Sequence, residues 1–254
     1  MEIKKLFNGI FKITAGTPER LTPVTFKQYG AKEGLLNNLS DNPLPFDALK
    51  IEFKTVNAGC VIKIPLGSEE KIYGFGLQLK GFNQTGRKKH IRPNADPLSD
   101  SGDSHAPIPY YVSTAGYAVL IDTARYASFY CGQAKAPEKN ADNKSFSLQA
   151  STDELYAADS RKNAKMLVEI PVAKGADIYI FSGINMLEAV QKHNLFSGGG
   201  VSFPDWSLGI WYRCHTALDA KGWLEAAEKF RKENIPCSVL GLAVGFLFLL
   251  VCVG

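Results

Sequence analysis

The feature that most constrains this chain is a long series of short apolar or alternating runs, separated by Gly, Pro, Asn and Asp, over residues 1 to about 182. Runs of this length that are rich in Val, Ile, Tyr and Phe predict β-strands. The clearest predicted strands are Ile51–Val56, Cys60–Pro65, Lys71–Phe75, Pro109–Ser113, Tyr117–Asp122, Ser128–Gly132, Phe146–Gln149, Met166–Ile170 and Asp177–Phe181. So many short strands with turn residues between them predict a β-sandwich.

Helical spacing replaces this alternation after residue 182. Asn185 can cap a helix that runs to Phe196, because a glutamate follows the cap at the third position. The stretch Ser197–Gly200 that comes next is interpreted as a linker, since it lacks the Lys-Ser/Thr pair of a phosphate-binding loop. We therefore predict a sandwich domain at 1–200 and the start of a second domain at 201–254.

The residues after the linker predict a strand, a helix and another strand. Trp206–Tyr212 is predicted to be a buried strand, and Asp219 is a candidate cap for a helix that continues through Asn234. Pro236 ends that helix, and an apolar run begins at Cys237. This order predicts a βαβ unit with parallel strands, and we expect the chain to stop before any third strand.

Composition excludes several classes of protein. With 254 residues, 45% of them apolar, the chain can bury a core and is not expected to be disordered. The net charge of +4 is small and its lysines and arginines are scattered, which argues against nucleic-acid binding. The one basic run, Arg87–His90, is predicted to be a solvated turn. Five cysteines without close pairs indicate free thiols, mostly buried, rather than a disulfide framework or a zinc site.

The N-terminus does not have the pattern of a signal peptide. Its apolar stretch is interrupted by Asn8, Gly9 and Lys12, and the alternation over Ile10–Ile13 predicts the opening strand. The expected location is therefore the cytoplasm.

Three separated blocks of sequence carry a family pattern: IYGFGLQLKGFNQTG at 72–86, RPNADPLSDSGDSHAPIPYYVSTAGYAVLIDT at 92–123, and FPDWSLGIWYRC at 203–214 followed by AAEKFRKENIPCSVLGL at 226–242. They contain a Tyr-Gly-x-Gly strand, an Asn-x-Asp loop, a Pro-Tyr-Tyr strand and a Gly-Tyr-x-Val-x-x-Asp strand, in that order. In this order they resemble glycoside hydrolase family 31. The resemblance implies a mainly β chain: an N-terminal, galactose mutarotase-like β-sandwich followed by the first βαβ of a truncated (β/α)8 barrel.

The resemblance also implies the chemistry of a retaining α-glycosidase, which uses two carboxyl groups about 5 Å apart. In the family both carboxylates come from later barrel strands, so we expect no catalytic residue here and no activity from this chain alone. The implied substrate-binding residues are Asn94 and Asp96 of the Asn-x-Asp loop, with an aromatic ring of Tyr110 or Phe82 against the sugar. No cofactor is implied, and the expected partner is an oligosaccharide or glycoside.

Two residues of the second domain are further candidates for the edge of the substrate pocket. Arg213 and His215 lie at the C-terminal end of the first predicted barrel strand, the end where barrel enzymes build their sites. A structural arginine and a surface histidine are equally compatible with the sequence.

A group of acids and one histidine in and after the Asn-x-Asp loop suggests a metal site. Its members are Asp96, Asp100, Asp103, His105 and Asp122. Their spacing fits no calcium-binding loop and Asp122 belongs to another strand, so we interpret the group as a solvated loop without a metal.

The end of the chain departs from the family pattern. After Leu242 the family places an acid that binds the sugar, whereas this chain has Ala243 and an apolar tail over 243–254. A reading-frame shift or an assembly error in the coding sequence near residue 242 would explain both the lost acid and the abrupt end. The alternative is a membrane anchor, but the fifteen residues of Val239–Val253 span about 22 Å as a helix, less than the roughly 30 Å core of a bilayer.

Two other functional hypotheses remain open at this point. One is a non-catalytic carbohydrate-binding β-sandwich, and the other is a membrane-anchored sandwich.

Overall fold

The structure, a computed structural model, describes residues 1–27, 29–78, 81–93, 104, 106–132, 164–200, 202–215, 217–241 and 250–252. Backbone contacts divide the chain into two compact units, Met1–Gly199 (unit 1) and Gly200–Gly254 (unit 2). The predicted strand Phe146–Gln149 lies outside the described residues.

Unit 1 is a sandwich of two antiparallel sheets. Its described strands are β1 (Glu2–Phe7), β2 (Ile10–Gly16), β3 (Glu52–Val56), β4 (Gly59–Pro65), β5 (Ile72–Gly74), β6 (Lys88–His90), β7 (Tyr110–Ser113), β8 (Tyr117–Asp122), β9 (Ser128–Cys131), β10 (Lys165–Pro171) and β11 (Gly175–Ser182). The first sheet has the order β1-β2-β11-β8-β7-β5 and the second the order β3-β4-β10-β9-β6. The mainly β fold is thereby confirmed, and the eight strands predicted between residues 51 and 181 that the structure describes all end within two residues of their predicted bounds.

The main core of unit 1 lies between the two sheets. Alternate side chains of β4 and β10 point inward, among them Ile62, Ile64 and Val168, each with 0% exposure. Burying an aliphatic side chain of this size contributes about 1.5–3 kcal/mol. In β8 all six residues are buried, because its second face is also covered.

The outer face of the first sheet is covered by the helix that follows β11 and by the chain before β3, which contains a short helix of its own. The helices here are α1 (Glu33–Leu36) and α2 (Met186–Phe196). The Asn185 side chain accepts a hydrogen bond from the Glu188 amide at 3.0 Å, which confirms the predicted cap. Leu36 of α1 and Ala189 of α2 join an apolar cluster on the sheet.

Two expectations about the strands of unit 1 are wrong. The strand predicted at Ile10–Ile13 is present as β2, but it is the second strand, because Glu2–Phe7 pairs antiparallel with it. Because β1 is an edge strand with exposed lysines, its sequence does not alternate between apolar and polar residues as a half-buried strand does. The run Arg87–His90 is not a solvated turn, because Lys88–His90 pairs with β9 and Lys89 is 3% exposed.

His193 of α2 is packed among aromatic rings on the first sheet. Its ring stacks on Tyr110 with 4.2 Å between centroids and meets Phe181 edge-on at 5.2 Å. Burial among these rings lowers the pKa of His193 from 6.5 to about 4. The neutral imidazole is therefore the form that fits the folded unit.

We expect this histidine to make unit 1 less stable in mild acid. The unfolded chain takes up the proton near pH 6.5 and the folded chain only near pH 4, so the stabilisation is complete above pH 6.5 and is lost as the pH falls through this window. Between pH 7 and pH 5 the loss should be about 2 kcal/mol. Denaturant unfolding of the native protein and of His193→Gln at both pH values measures it. The same pH dependence in both proteins would contradict the assignment to His193.

Unit 2 contains a small sheet with one helix against it. After a 3-10 turn at Asp205–Leu208 come β12 (Trp211–Arg213), α3 (Ala220–Lys232), β13 (Val239–Gly241) and β14 (Leu250–Cys252). Strands β12 and β13 are parallel, so the predicted strand-helix-strand order is confirmed. The predicted cap is also confirmed, since the Asp219 side chain accepts from the Gly222 amide at 2.8 Å. Trp223 of α3 packs on Leu240 of β13.

Two expectations about unit 2 are wrong. Trp206–Tyr212 is not one buried strand: its first half is the 3-10 turn, and Trp211 of β12 is 53% exposed. An apolar run alone does not specify a strand. A third strand does follow, since β14 pairs antiparallel with β13. The eight residues between Gly241 and Leu250 are too few for the crossover of about a dozen residues that a parallel strand requires.

The thiols of Cys60, Cys131, Cys214 and Cys237 are free, as predicted. Cys60, Cys131 and Cys214 are buried and Cys237 is half-buried. Within the described ranges, no helix combines the length and the apolar character needed to cross a membrane.

Candidate functional site

The candidate site in unit 1 is the base of the Asn-x-Asp loop. Asn94, Asp96, Asp100, Asp103 and His105 lie outside the described residues. The structure does describe the residues on either side of the loop. Their geometry shows how the sandwich holds its two ends.

The two ends of the loop meet at a short backbone bridge. Pro93 and Ser104 form a parallel bridge, and the Ser104 amide donates to the Arg92 carbonyl at 3.3 Å. Ser104 is 4% exposed, whereas Arg92 and Pro93 on the other side of this junction are exposed. On the first side, the Ile91 amide donates to the Ala127 carbonyl at 2.8 Å, which continues the pairing of β6 with β9. One end of the loop therefore belongs to the second sheet.

The other end of the loop is held by the Tyr-Gly-x-Gly motif, residues 73–76, which begins in β5 and continues into the turn that follows it. Gly74, Phe75 and Gly76 all have positive φ, at 121°, 65° and 83°. This turn brings the backbone so close to residues 106–110 that a Cβ on Gly76 would overlap the Ala106 carbonyl oxygen. A non-glycine residue at positive φ is uncommon, and the complete burial of the Phe75 ring holds it there.

The two aromatic candidates for sugar stacking differ in their surroundings. Tyr110 packs against His193 and Phe181 on the outer face of the first sheet, and burial raises the pKa of its hydroxyl. The structure therefore gives Tyr110 a packing role under α2. Phe82 has an 89% exposed side chain and keeps its ring open to solvent.

Asp122, which the sequence grouped with the loop acids, is an anchor for another segment. Its carboxylate accepts from the Thr22 hydroxyl at 2.6 Å and from the Val24 amide at 3.0 Å. Burial raises the pKa of Asp122, and these two bonds act in the opposite direction. The last residue of the Gly-Tyr-x-Val-x-x-Asp strand thus ties residues 22–24 to the sandwich. Among the described residues, no group of three or more His, Cys, Asp or Glu side chains could hold a metal.

In unit 2, Arg213 and His215 lie together at the C-terminal end of β12. Both are exposed, whereas Cys214 between them is 1% exposed and packs under α3. His215 Nδ1 accepts a hydrogen bond from the Ala217 amide at 3.1 Å, which leaves Nε2 as the ring nitrogen available for another partner. These two side chains can donate hydrogen bonds to hydroxyl groups.

Sequence reasoning missed a hydrogen-bonded pair of polar residues, Lys89 and Gln78, near the base of the loop. Lys89 is buried in β6, and its ammonium donates to the Gln78 side chain at 2.9 Å. No local signal marked Lys89, because the run Arg87–His90 is basic throughout and such a run is typical of a solvated turn.

No family model matches this chain. The α-xylosidase XylQ of Lactiplantibacillus pentosus is 24% identical over 179 residues, which cover 70% of this chain and 20% of that protein. An α-xylosidase of Emericella nidulans is 22% identical over 182 residues, covering 70% of this chain and 19% of its own length. A GH31 dextranase of Flavobacterium johnsoniae, solved with glucose, matches 96% of this chain and 31% of its own with a TM-score of 0.66 and 16% identity.

The resemblance to glycoside hydrolase family 31 is confirmed. The likeness to the dextranase shows that the chain has the fold of the corresponding part of that GH31 enzyme, and the two curated proteins similar to it are α-xylosidases. The chain spans about a fifth of the length of those relatives.

Proposed function

We propose that this chain is the N-terminal part of a retaining family 31 α-glycosidase that acts on an α-xyloside or α-glucoside. The observation that carries the proposal is the match of 70% of the chain to two α-xylosidases. The solved dextranase with bound glucose, which is similar to this chain in fold, supports a carbohydrate substrate. In this proposal unit 1 corresponds to the predicted sandwich domain, 1–200, and unit 2 to the predicted beginning of a (β/α)8 barrel, 201–254. The parallel pair of β12 and β13 joined by α3 is what a barrel requires at its start.

The role of unit 1 in this proposal is to supply a substrate-binding loop. Asn94 and Asp96 would accept and donate hydrogen bonds at the sugar hydroxyls, and the exposed ring of Phe82 would provide an apolar surface for a sugar face. Arg213 and His215, the exposed residues at the end of β12, would be further substrate-binding residues supplied by unit 2. A retaining reaction needs two carboxylates about 5–5.5 Å apart, one as nucleophile and one as acid and base. In family 31 enzymes that pair comes from later barrel strands, so the chain by itself should not hydrolyse glycosides.

The first experiment tests activity. The purified 254-residue chain should release no more nitrophenol from 4-nitrophenyl α-xyloside, α-glucoside or α-galactoside than buffer does. Sequencing the transcript beyond codon 242 should reveal a reading frame that continues into a barrel and encodes the two aspartates. The longer protein made from that frame should hydrolyse one of these substrates. Turnover by the 254-residue chain would contradict its inactivity. An extended product with no activity on any of them would contradict the glycosidase proposal.

A binding measurement separates the proposal from a non-catalytic carbohydrate-binding sandwich. Calorimetry of the 254-residue chain with xylose, glucose and isomaltotriose should give no measurable heat, because a subsite without its barrel half makes too few contacts. Micromolar affinity, about −8 kcal/mol, would instead identify a sugar-binding module.

A further inference from the structure

Lys89 is a buried lysine on an edge strand of the sandwich. Strand β6 places Lys88 outward over the Tyr130 ring and His90 against the Ser128 hydroxyl, so Lys89 between them points to the interior beside Phe129. Only 3% of Lys89 is exposed. An ammonium group taken out of water is costly unless it is hydrogen-bonded, so its acceptors determine where it can lie.

Gln78 connects this ammonium to the Tyr-Gly-x-Gly turn. Gln78 Oε1 accepts from Lys89 Nζ at 2.9 Å, and Gln78 Nε2 donates to the Phe75 carbonyl at 2.9 Å. Because an ammonium group can only donate, the amide has one orientation in which both bonds form. The side chain therefore joins strand β6 of the second sheet to the turn that follows β5 of the first.

That turn holds the residues that follow the loop. The Ile108 amide donates to the Phe75 carbonyl at 3.4 Å, and the Leu77 amide donates to the Ala106 carbonyl at 3.3 Å. The Phe75 carbonyl thus accepts from Gln78 and from Ile108 together. On the other side, β6 leads directly into Arg92, whose carbonyl accepts from Ser104.

We propose that Lys89 and Gln78 form a brace between the two sheets that fixes the separation of the residues on either side of the Asn-x-Asp loop. They are positioning residues for the two ends of this loop, and the use of that position in substrate binding rests on the proposed glycosidase function. The Lys89–Gln78 brace acts through Phe75 on residues 106–108 and through β6 on Arg92 and Pro93.

Hydrogen exchange measured by mass spectrometry tests the brace in the 254-residue chain without sugar. In Lys89→Met the amides of Leu77, Ser104 and Ile108 should exchange about tenfold faster, because they donate the bonds that the brace supports. Amides of β11 should be unchanged. Lys88→Met is the matched control on the same strand and should leave all of these rates as they are in the native chain.

A double variant tests whether the two residues act as one link. Exchange in Lys89→Met/Gln78→Leu should be no faster than in the more affected single variant, since either substitution already breaks the brace. Additive effects would overturn the proposal, and so would equal acceleration of β11 or the same response to Lys88→Met. If Lys89→Met does not fold, Gln78→Glu replaces it. This variant keeps an acceptor for Lys89 but loses the donor to Phe75, so native exchange rates at Leu77 and Ile108 would overturn the brace.

The two proposals fail in different ways. Exchange in the absence of sugar reports on the brace alone, whereas activity of the extended product reports on the glycosidase function. Native exchange in every variant would remove the brace and leave the proposed function standing.

Discussion

Replacing Lys192 with methionine is expected to lower the free energy of unfolding of unit 1 by about 3 kcal/mol. Lys192 lies on the inner side of α2 and is completely buried. Its ammonium donates to the Ser182 carbonyl at 2.5 Å, to the Ser40 carbonyl at 2.6 Å and to the Ser40 hydroxyl at 3.1 Å. Three donors meet three acceptors, so the charged form is fully satisfied in this position.

The surroundings of Lys192 explain the size of this effect. Burial lowers the pKa of Lys192, and the carboxylates of Glu188 and Asp41 oppose that shift. Glu188 also accepts from the Ser40 amide and hydroxyl, both at 2.8 Å, so the lysine is part of one network between α2 and the chain before β3. Methionine preserves the length of the side chain but leaves the Ser40 and Ser182 carbonyls buried without this donor, at about 1–3 kcal/mol each.

Chemical denaturation followed by far-UV circular dichroism measures the loss. All three tryptophans lie in unit 2, at Trp206, Trp211 and Trp223, so tryptophan fluorescence reports separately on that unit and should not change. Lys174→Met is the control, because Lys174 is an exposed lysine of unit 1. A cost below about 1 kcal/mol for Lys192→Met would show that the network does not depend on the ammonium.

Replacing Gly76 with alanine should destabilise unit 1 by a similar amount, about 3 kcal/mol or more. Gly76 has a φ of 83°, which costs an L-residue about 1–2 kcal/mol. The added Cβ would also overlap the Ala106 carbonyl oxygen, so the turn and the segment after the loop would have to separate. Overpacking of this kind adds about 1–3 kcal/mol.

Gly86 offers a matched control for the backbone part of this cost. Its φ of 77° is close to that of Gly76, but a Cβ there would meet nothing within 4 Å. Gly86→Ala should therefore lower the free energy of unfolding only by the cost of placing an alanine at positive φ, about 1–2 kcal/mol. The difference between the two variants in denaturant unfolding isolates the steric contact with Ala106. Equal costs would show that the close approach of the turn to residues 106–108 is not needed for stability.

Local sequence signals predicted the secondary structure where neighbouring residues decide it. Strand Tyr117–Asp122 has its predicted bounds, and the caps Asn185 and Asp219 accept the amide hydrogen bonds expected of them. Alternation and capping act within a few residues, so the sequence around each element suffices. The strand predicted over Trp206–Tyr212 is wrong because an apolar run fits several local structures.

The candidate site was only partly accessible to sequence reasoning. The family pattern pointed to the Asn-x-Asp loop, and the roles of Asn94 and Asp96 stay predictions. The sequence treated Tyr110 and Phe82 as equivalent aromatic candidates. Only packing distinguished them, because α2, which is distant in the sequence, covers Tyr110 through His193.

The sequence by itself determined that this chain forms a mainly β sandwich followed by a strand-helix-strand segment, because both follow from local periodicity and turn residues. Only the tertiary structure decided that Lys89 and Lys192 are buried. The Lys89 ammonium donates to Gln78, and the Lys192 ammonium donates to Ser40 and Ser182. Each of these acceptors lies on a different segment of the chain from its lysine. A lysine is stable inside a protein only when such distant groups converge on it, and no local pattern records that convergence.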